Sequence, residues 1–342
     1  MVLPLQSRCD PVNKLTLERI IPELIVKILV CVRNVTTLSN VAKCSRNMMR
    51  LVRDPYTRAQ RIQRYARDPF HWACSNVTDE DTARLLVLNL FPTKGAISEM
   101  ELRLNKQGHT PLMKACMCEN AAMVHALLTC QYKSATAAVS QINAADVDGF
   151  SALHHASRSK NPIVLRYLLD LSSGINLNAR IKHGHTALNL ACLDGNAESV
   201  RQLLELPDID VNIANANGTT PLHQVCQQPD RLELVRLLIG SNKADINAVT
   251  ATGQTPLHEA SSKGSVDKVQ ELLKRCDIDV NAADNEGNTA LHFAIGQGYR
   301  RVAELLIGHW RCATMGHMHK ACSPGENMTR QTIVPLQCLL RV

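Results

Sequence analysis

Thr255-Pro256-Leu257-His258-Glu259-Ala260 holds the pattern from which most of the chain can be read. Thr220-Pro221-Leu222-His223 states it 35 residues earlier, and Ser151-Ala152-Leu153-His154 and Thr289-Ala290-Leu291-His292 are close variants. Aligned on the leucine, six anchors emerge: Leu112, Leu153, Leu188, Leu222, Leu257 and Leu291, at intervals of 41, 35, 34, 35 and 34. A glycine stands four places before each one (Gly108, Gly149, Gly184, Gly218, Gly253, Gly287). Three places after it comes a small apolar residue (Ala115, Ala156, Ala191, Val225, Ala260, Ala294). Apolar residues return at +12, +15 and +16, from Val124, Leu127 and Leu128 in the first of the six to Ala303, Leu306 and Ile307 in the last.

Each residue type has a physical reason to stand where it does. Glycine permits a positive φ in a tight turn. The Thr or Ser that follows can cap a helix N-terminus, and Pro111, Pro221 and Pro256 occupy the first helical position, where a missing N–H costs nothing. A short helix starts there. The +12, +15, +16 spacing is the buried stripe of a second helix. Asn143, Asn178, Asn212, Asn247 and Asn281 each lie ten residues before the next anchor, in a turn-rich connection. One turn with two short helices cannot bury its own stripe, so the units must stack.

Composition agrees with thin, small-residue packing. Of 342 residues, 45% are hydrophobic and 20% charged, which excludes disordered and collagen-like classes. Only 4 Phe, 2 Trp and 5 Tyr are present, so the core must be filled by Leu, Val, Ile and Ala.

These residues resemble the ankyrin repeat, whose T-P-L-H-x-A stretch they follow over residues 105–308. Met113 and Asn189 depart from it at the His position, and Gln228-Pro229-Asp230 replaces a glycine turn between helices. Phe70-His71-Trp72-Ala73, with Thr82, Leu85 and Leu86 behind it, reads as a degenerate first unit. The resemblance implies an all-α solenoid of about seven helix–turn–helix units with short turn or hairpin connections. Insertions are expected near residues 92–104 and 131–142.

Residues 17–54 are helical in pattern without the repeat register. Ile20-Ile21-Pro22-Glu23-Leu24, then Ile28-Leu29, Leu38, Val41 and Cys44-Ser45-Arg46 resemble an F-box, with the proline one place later than usual. The resemblance implies that Ile20, Pro22, Leu24, Ile28, Leu29 and Val41 dock a Skp-type adaptor of a cullin–RING ubiquitin ligase. The alternative is a small helical cap on the solenoid. The expected division is therefore 1–16 disordered, 17–65 an F-box-like module with a basic linker helix, 66–104 a degenerate repeat, 105–308 six repeats, and 309–342 an irregular tail.

The formal net charge is +7, and the stretch from Lys43 to Arg67 alone carries that excess. Arg58, Arg61, Arg64 and Arg67 form one helical stripe, read as a solvated face ahead of a nuclear-import signal or nucleic-acid contact. The apolar run Ile20–Val32 is broken by Glu23 and Lys27, too short and charged to span a bilayer. With 13 cysteines at scattered spacings and no signal-peptide pattern, a cytoplasmic or nuclear chain with reduced thiols is expected.

No nucleophile elbow, phosphate loop or H-E-x-x-H appears, so no catalytic residue, cofactor or metal site is expected. Cys312, His317, His319 and Cys322 are ligand types at a spacing uncommon for zinc. His154, His223, His258 and His292 are read as structural, bonding to neighbouring hydroxyls and backbone. In ankyrin proteins the turn tips and first helices form the binding face. Here the resemblance points to Gln107, His109, Asp148, Phe150, His183, His185, Asn217, Gln254, Glu286 and Phe293 as client-binding. Their mixed charge suits a protein client, with no nucleic acid, no membrane and a monomeric chain expected.

Overall fold

The structure is a computed structural model describing residues 69–90, 108–131, 142–171 and 174–309. Those residues form seven helix pairs in chain order. The first helices are α1 (Pro69–Asn76), α3 (Pro111–Met117), α5 (Ala152–Arg158), α7 (Ala187–Asp194), α9 (Pro221–Gln227), α11 (Pro256–Ser262) and α13 (Ala290–Gly296). The second helices are α2 (Glu80–Leu90), α4 (Ala121–Gln131), α6 (Pro162–Leu171), α8 (Ala197–Leu204), α10 (Leu232–Gly240) and α12 (Val266–Leu273), with α14 over 300–309. First helices stack on first helices and second on second, giving two helical layers. Among the described residues no strand forms; an isolated bridge joins Ala283 and Thr289. The F-box-like segment with Ile20, Pro22, Leu24, Ile28, Leu29 and Val41, the basic stripe and the tail beyond 309 lie outside the described residues.

The core follows the repeat. Ala73, Ala115, Ala156, Ala191, Val225, Ala260 and Ala294 are fully buried along the stacked first helices. Side chains this small let neighbouring helices approach closely, which explains how a core with so few aromatics closes. In the second layer the buried residues at +11, +12 and +15 include Met123, Val124 and Leu127, and Val164, Leu165 and Leu168. Two units deviate by one residue. In the unit of α9 and α10 the buried positions are Leu234, Val235 and Leu238, with Leu237 only partly covered. In the first unit, counted from Phe70, they are Thr82, Ala83 and Leu86, with Val87 also buried and Leu85 partly covered. For α10 the cause is the Gln228-Pro229-Asp230 turn, where Asp230 takes φ 52°. The turn delays the second helix by one position while its apolar stripe stays on the same face.

Three sets of lateral bonds hold one unit to the next. The first runs between turn tips: Lys182, Ala216, Ala251 and Asn285 each donate a backbone N–H to the carbonyl of Asp148, His183, Asn217 and Thr252. This close approach needs glycine. At Gly218 (φ 75°) a Cβ would lie 2.6 Å from the nitrogen of Ala251.

The second set is an asparagine ladder. The Asn143 amide donates to the carbonyl of Gly174 at 2.8 Å, and its Oδ1 accepts from the N–H of Asn176 at 2.7 Å. Asn178 pairs in the same way with Asp208 and Asp210, Asn212 with Lys243 and Asp245, and Asn247 with Asp277 and Asp279. The side chain thus substitutes for a strand pairing that the chain does not form.

The third set passes through histidine. The backbone N–H of Ser151, Thr220 and Thr255 lies 3.0, 3.3 and 3.1 Å from Nδ1 of His154, His223 and His258. An amide N–H can only donate, so Nδ1 is the acceptor and the proton sits on Nε2. Nε2–H then donates to the carbonyls of Ala179, Gln254 and Asn288 in the next unit, at 3.1, 2.9 and 3.0 Å. One neutral imidazole closes its own turn and ties the neighbouring unit. Asn189 does the same with an amide: Oδ1 accepts from the Thr186 N–H at 2.8 Å, and Nδ2 donates to Ile213 at 3.4 Å. Met113 offers only its sulfur to the Thr110 N–H, at 3.4 Å.

Two expectations follow from these bonds. Asn212→Ala removes both rungs at once and should lower stability by about 1–2 kcal/mol in urea denaturation. Asn281→Ala should cost less, because no further unit follows Asn281 to receive its amide among the described residues.

Burial holds the imidazoles of His154, His223 and His258 below their ordinary value near 6.5, against the opposing pull of the carbonyls at Nε2. The unfolded chain therefore takes up protons at these sites before the folded one does. Their contribution to stability is whole above pH 6.5 and is lost as pH falls below it. The urea midpoint should drop between about pH 7.5 and pH 5. His223→Asn, copying residue 189, should reduce that dependence by the share of one of the three histidines, at a cost below about 1 kcal/mol at the higher pH. His223→Leu should cost about 2 kcal/mol or more at both, since the Thr220 N–H is left without its acceptor.

Candidate functional site

Turn tips and first helices form one continuous face, and the repeat register decides what is free on it. Five places before each anchor, the turn apex carries Asp148, His183, Asn217, Thr252 or Glu286, all exposed. The carbonyls of the first four are held by the next turn. The backbone at those four apices is thus pinned while the side chain stays exposed, with Asp148 paired to Lys182 of the next turn at 3.3 Å. Phe150, His185, Gln254 and Asn288, two residues on, are half-buried, and Thr219 at the matching place is buried.

Of the client-binding residues expected from sequence, Asp148, His183, Asn217 and Glu286 are exposed apices. Gln107 lies outside the described residues. His109, Phe150, His185, Gln254 and Phe293 are half-buried and partly engaged within the protein. The Phe150 ring stacks on His155 with centroids 5.3 Å apart and meets His154 edge-on at 5.9 Å. Phe293 meets His258 edge-on at 5.6 Å. The Gln224 amide donates to Nδ1 of His185 at 3.2 Å. Glu259 is buried on this face and accepts from the Gln227 amide at 2.7 Å.

At the step between the second and third helix pairs, three ionisable side chains converge. Asp146 Oδ2 lies 3.5 Å from Nε2 of His109 and 3.9 Å from Nε2 of His155. Its other oxygen accepts the backbone N–H groups of Asp148 and Phe150, both at 2.9 Å. His109 and His155 meet edge-on, with centroids 5.9 Å apart. Burial pushes the His155 imidazole down to about 4, with Asp146 opposing, so it is neutral at physiological pH. Asp146 is not among the residues the sequence reading singled out, because at −7 from its anchor it reads as turn chemistry alone.

The opposite, outer layer is charge-compensated. Arg201 bridges Glu198 and Glu233, and Glu271 bridges Arg236 and Lys274. Such exposed pairs contribute little each, and they leave no single-signed patch along α8, α10 and α12.

Buried Cys116, Cys192 and Cys226 occupy one slot, four places after their anchors, and desolvation pushes each thiol up to about 12. They are packing residues, far from the thiolate a nucleophile requires. No helix among the described residues is long and apolar enough to cross a membrane.

Comparison with known proteins agrees with this architecture. The sequence pattern of the family described as ankyrin repeats, in three copies, matches residues 70–181, 171–250 and 222–314. The solved ankyrin repeat domain of Bcl-3, described as a unique member of the IkappaB protein family, superposes with a TM-score of 0.59 at 29% identity, covering 70% of this chain and 98% of that one. The mouse B-cell lymphoma 3 protein homolog is 32% identical over 216 residues, 61% of this chain and 45% of that protein. The human SMC5-SMC6 complex localization factor protein 1 is 34% identical over 127 residues, 37% of this chain and 9% of that protein. The E3 ubiquitin-protein ligase KEG of Arabidopsis thaliana is 31% identical over 146 residues, 43% of this chain and 9% of that protein. The chain spans less than half the length of these curated relatives. The matched repeats, the stacked helix pairs and the lateral bonds between their turns agree, and the chain belongs to the ankyrin-repeat family.

Proposed function

We propose that this chain is a non-enzymatic adaptor whose solenoid captures a protein client on the face of turn tips and first helices. One observation carries the reading. The apices Asp148, His183, Asn217, Thr252 and Glu286 are exposed and differ from unit to unit, on a backbone whose pitch the neighbouring turns hold. A row of differing side chains at fixed spacing is suited to reading one particular surface, and it loses little entropy on binding. Its mixed charge favours a protein over a polyanion. Members of the family generally act as binding scaffolds.

The finer part of the proposal is that residues 17–54 recruit a Skp-type adaptor, making the chain the substrate receptor of a cullin–RING ubiquitin ligase. It rests on the F-box-like sequence with Leu24 and Ile28 at its centre. A second reading, a plain regulatory scaffold with no ligase role, is favoured by the likeness to the Bcl-3 ankyrin domain, of which this chain covers 98%.

Affinity purification with mass spectrometry, using the full chain and the triple variant His183→Ala, Asn217→Ala, Glu286→Ala, tests the client face. The apices are exposed, so the variant should stay within about 0.5 kcal/mol of wild type per site while losing its client. An unchanged client set would remove this face from the mechanism. The Skp-type adaptor should bind wild type and the triple variant but not Leu24→Asp or Ile28→Asp. Absence of adaptor binding by wild type would leave the plain scaffold.

A further inference from the structure

We propose that His109, Asp146 and His155 bind a zinc-type divalent ion that ties the second helix pair to the third. Among the described residues they are the group of three His, Cys, Asp or Glu side chains whose donor atoms converge, all within 4.8 Å of one another. His109 comes from the turn before α3, Asp146 from the turn before α5, and His155 from α5 itself.

Three features make this more than proximity. Asp146 is aimed: the N–H groups of Asp148 and Phe150 hold its Oδ1, which turns Oδ2 towards both imidazoles. His155 is held by the stacked ring of Phe150, and its Nε2 is buried with no hydrogen-bond partner. An imidazole nitrogen placed so is a donor lacking an acceptor site of its own, or a lone pair lacking an ion. The donor set is the third feature. Two imidazole nitrogens and one carboxylate oxygen are ligands that zinc takes at roughly 2.0–2.2 Å, with a fourth position left for water or for a group on a bound partner. Tetrahedral coordination at that radius needs donor separations of roughly 3.4 Å. The 3.5 and 3.9 Å contacts to Asp146 already approach that, and small side-chain rotations bring the imidazoles together.

The same three register positions do something else at the other steps. One unit on, they hold Phe150, Ile181 and Leu190, all apolar residues with no ligand atom to offer. At the step after that they hold His185, Asn215 and Gln224, and the Gln224 amide satisfies the histidine directly at 3.2 Å. The site is therefore particular to one step and is not a consequence of the repeat.

These sister positions also supply variants already compatible with the fold. Asn215 Oδ1 accepts the N–H groups of Asn217 and Thr219 as Asp146 Oδ1 accepts those of Asp148 and Phe150. Asp146→Asn should thus keep the turn and lose the anionic ligand. His155→Leu copies residue 190.

The full chain, stripped with chelator, is titrated with cobalt(II). The 13 cysteines make a spectroscopic distinction necessary. Binding at this site should give ligand-field bands without thiolate-to-cobalt charge transfer, displaced by zinc. Asp146→Asn and His155→Leu should each weaken that signal about 100-fold or more, since even outer-shell losses reach that range. Cys312→Ser with Cys322→Ser should leave it unchanged. Zinc should raise the melting temperature of wild type and not of His155→Leu. A cobalt spectrum wholly of thiolate character, or one indifferent to Asp146→Asn, overturns the proposal. If His155→Leu does not fold, Asp146→Asn, checked by its melting curve, decides alone.

Discussion

Everything else in this molecule depends on how one unit is joined to the next, and the buried imidazole is the clearest instance. His154, His223 and His258 each accept from the amide that opens their own helix and donate to a carbonyl of the following unit. A single ring atom pair therefore sets both the local turn and the spacing between units. The asparagine ladder and the tip-to-tip amide bonds act in parallel on either side of it. Apolar burial drives the stacking but is indifferent to register; these directional bonds select one register, because a shifted unit would leave buried donors without acceptors.

The departures from the repeat indicate which parts of that constraint are replaceable. Asn189 reproduces the imidazole because an amide also carries an acceptor and a donor on opposite sides. The carbonyls that end the first helices are met by Asn120 and Asn196, which reach back into the preceding unit from the start of their own second helices. At the irregular Gln228-Pro229-Asp230 turn, Lys268 takes over. Its ammonium is buried and donates to the carbonyls of Val225, Cys226 and Gln228. Burial lowers its pKa, and the three carbonyls substitute for water around the charge. A longer side chain from the following unit thus compensates for a turn displaced by one residue.

Rigidity of this kind separates support from recognition. At the apices Asp148, His183, Asn217 and Thr252 the backbone is committed to the neighbouring unit, whereas the side chains are exposed and engaged only at the surface, Asp148 with Lys182 and Glu286 with Asn288, both at 3.3 Å. Slightly deeper, Phe150, His185 and Phe293 are half-buried and shape the floor between the first helices. Specificity is then a matter of which short or long, charged or neutral groups occupy a row whose spacing is already set. The His109, Asp146 and His155 cluster lies within that floor, where the next step holds apolar residues and the one after it is closed by an amide.

The fold was legible in the amino-acid sequence because a period of about thirty-four residues carries its own explanation: glycine for positive φ, Thr-Pro to open a helix, leucine stripes that only stacking can bury. The structural role of the histidines was legible for the same reason, since the residue type recurs with its hydroxyl partner three positions away. The slip of the buried stripe in α10 was not, because Leu234, Leu237 and Leu238 look alike in sequence and only packing against α8 and α12 decides which of them is covered. The function of Asn143, Asn178, Asn212 and Asn247 was visible as a recurrence without a cause, their partners lying in the following unit. The meeting of His109 with Asp146 and His155 was the least visible. It joins residues 37 and 46 positions apart across an insertion, and their distance in space is set by helix stacking, which sequence spacing does not encode.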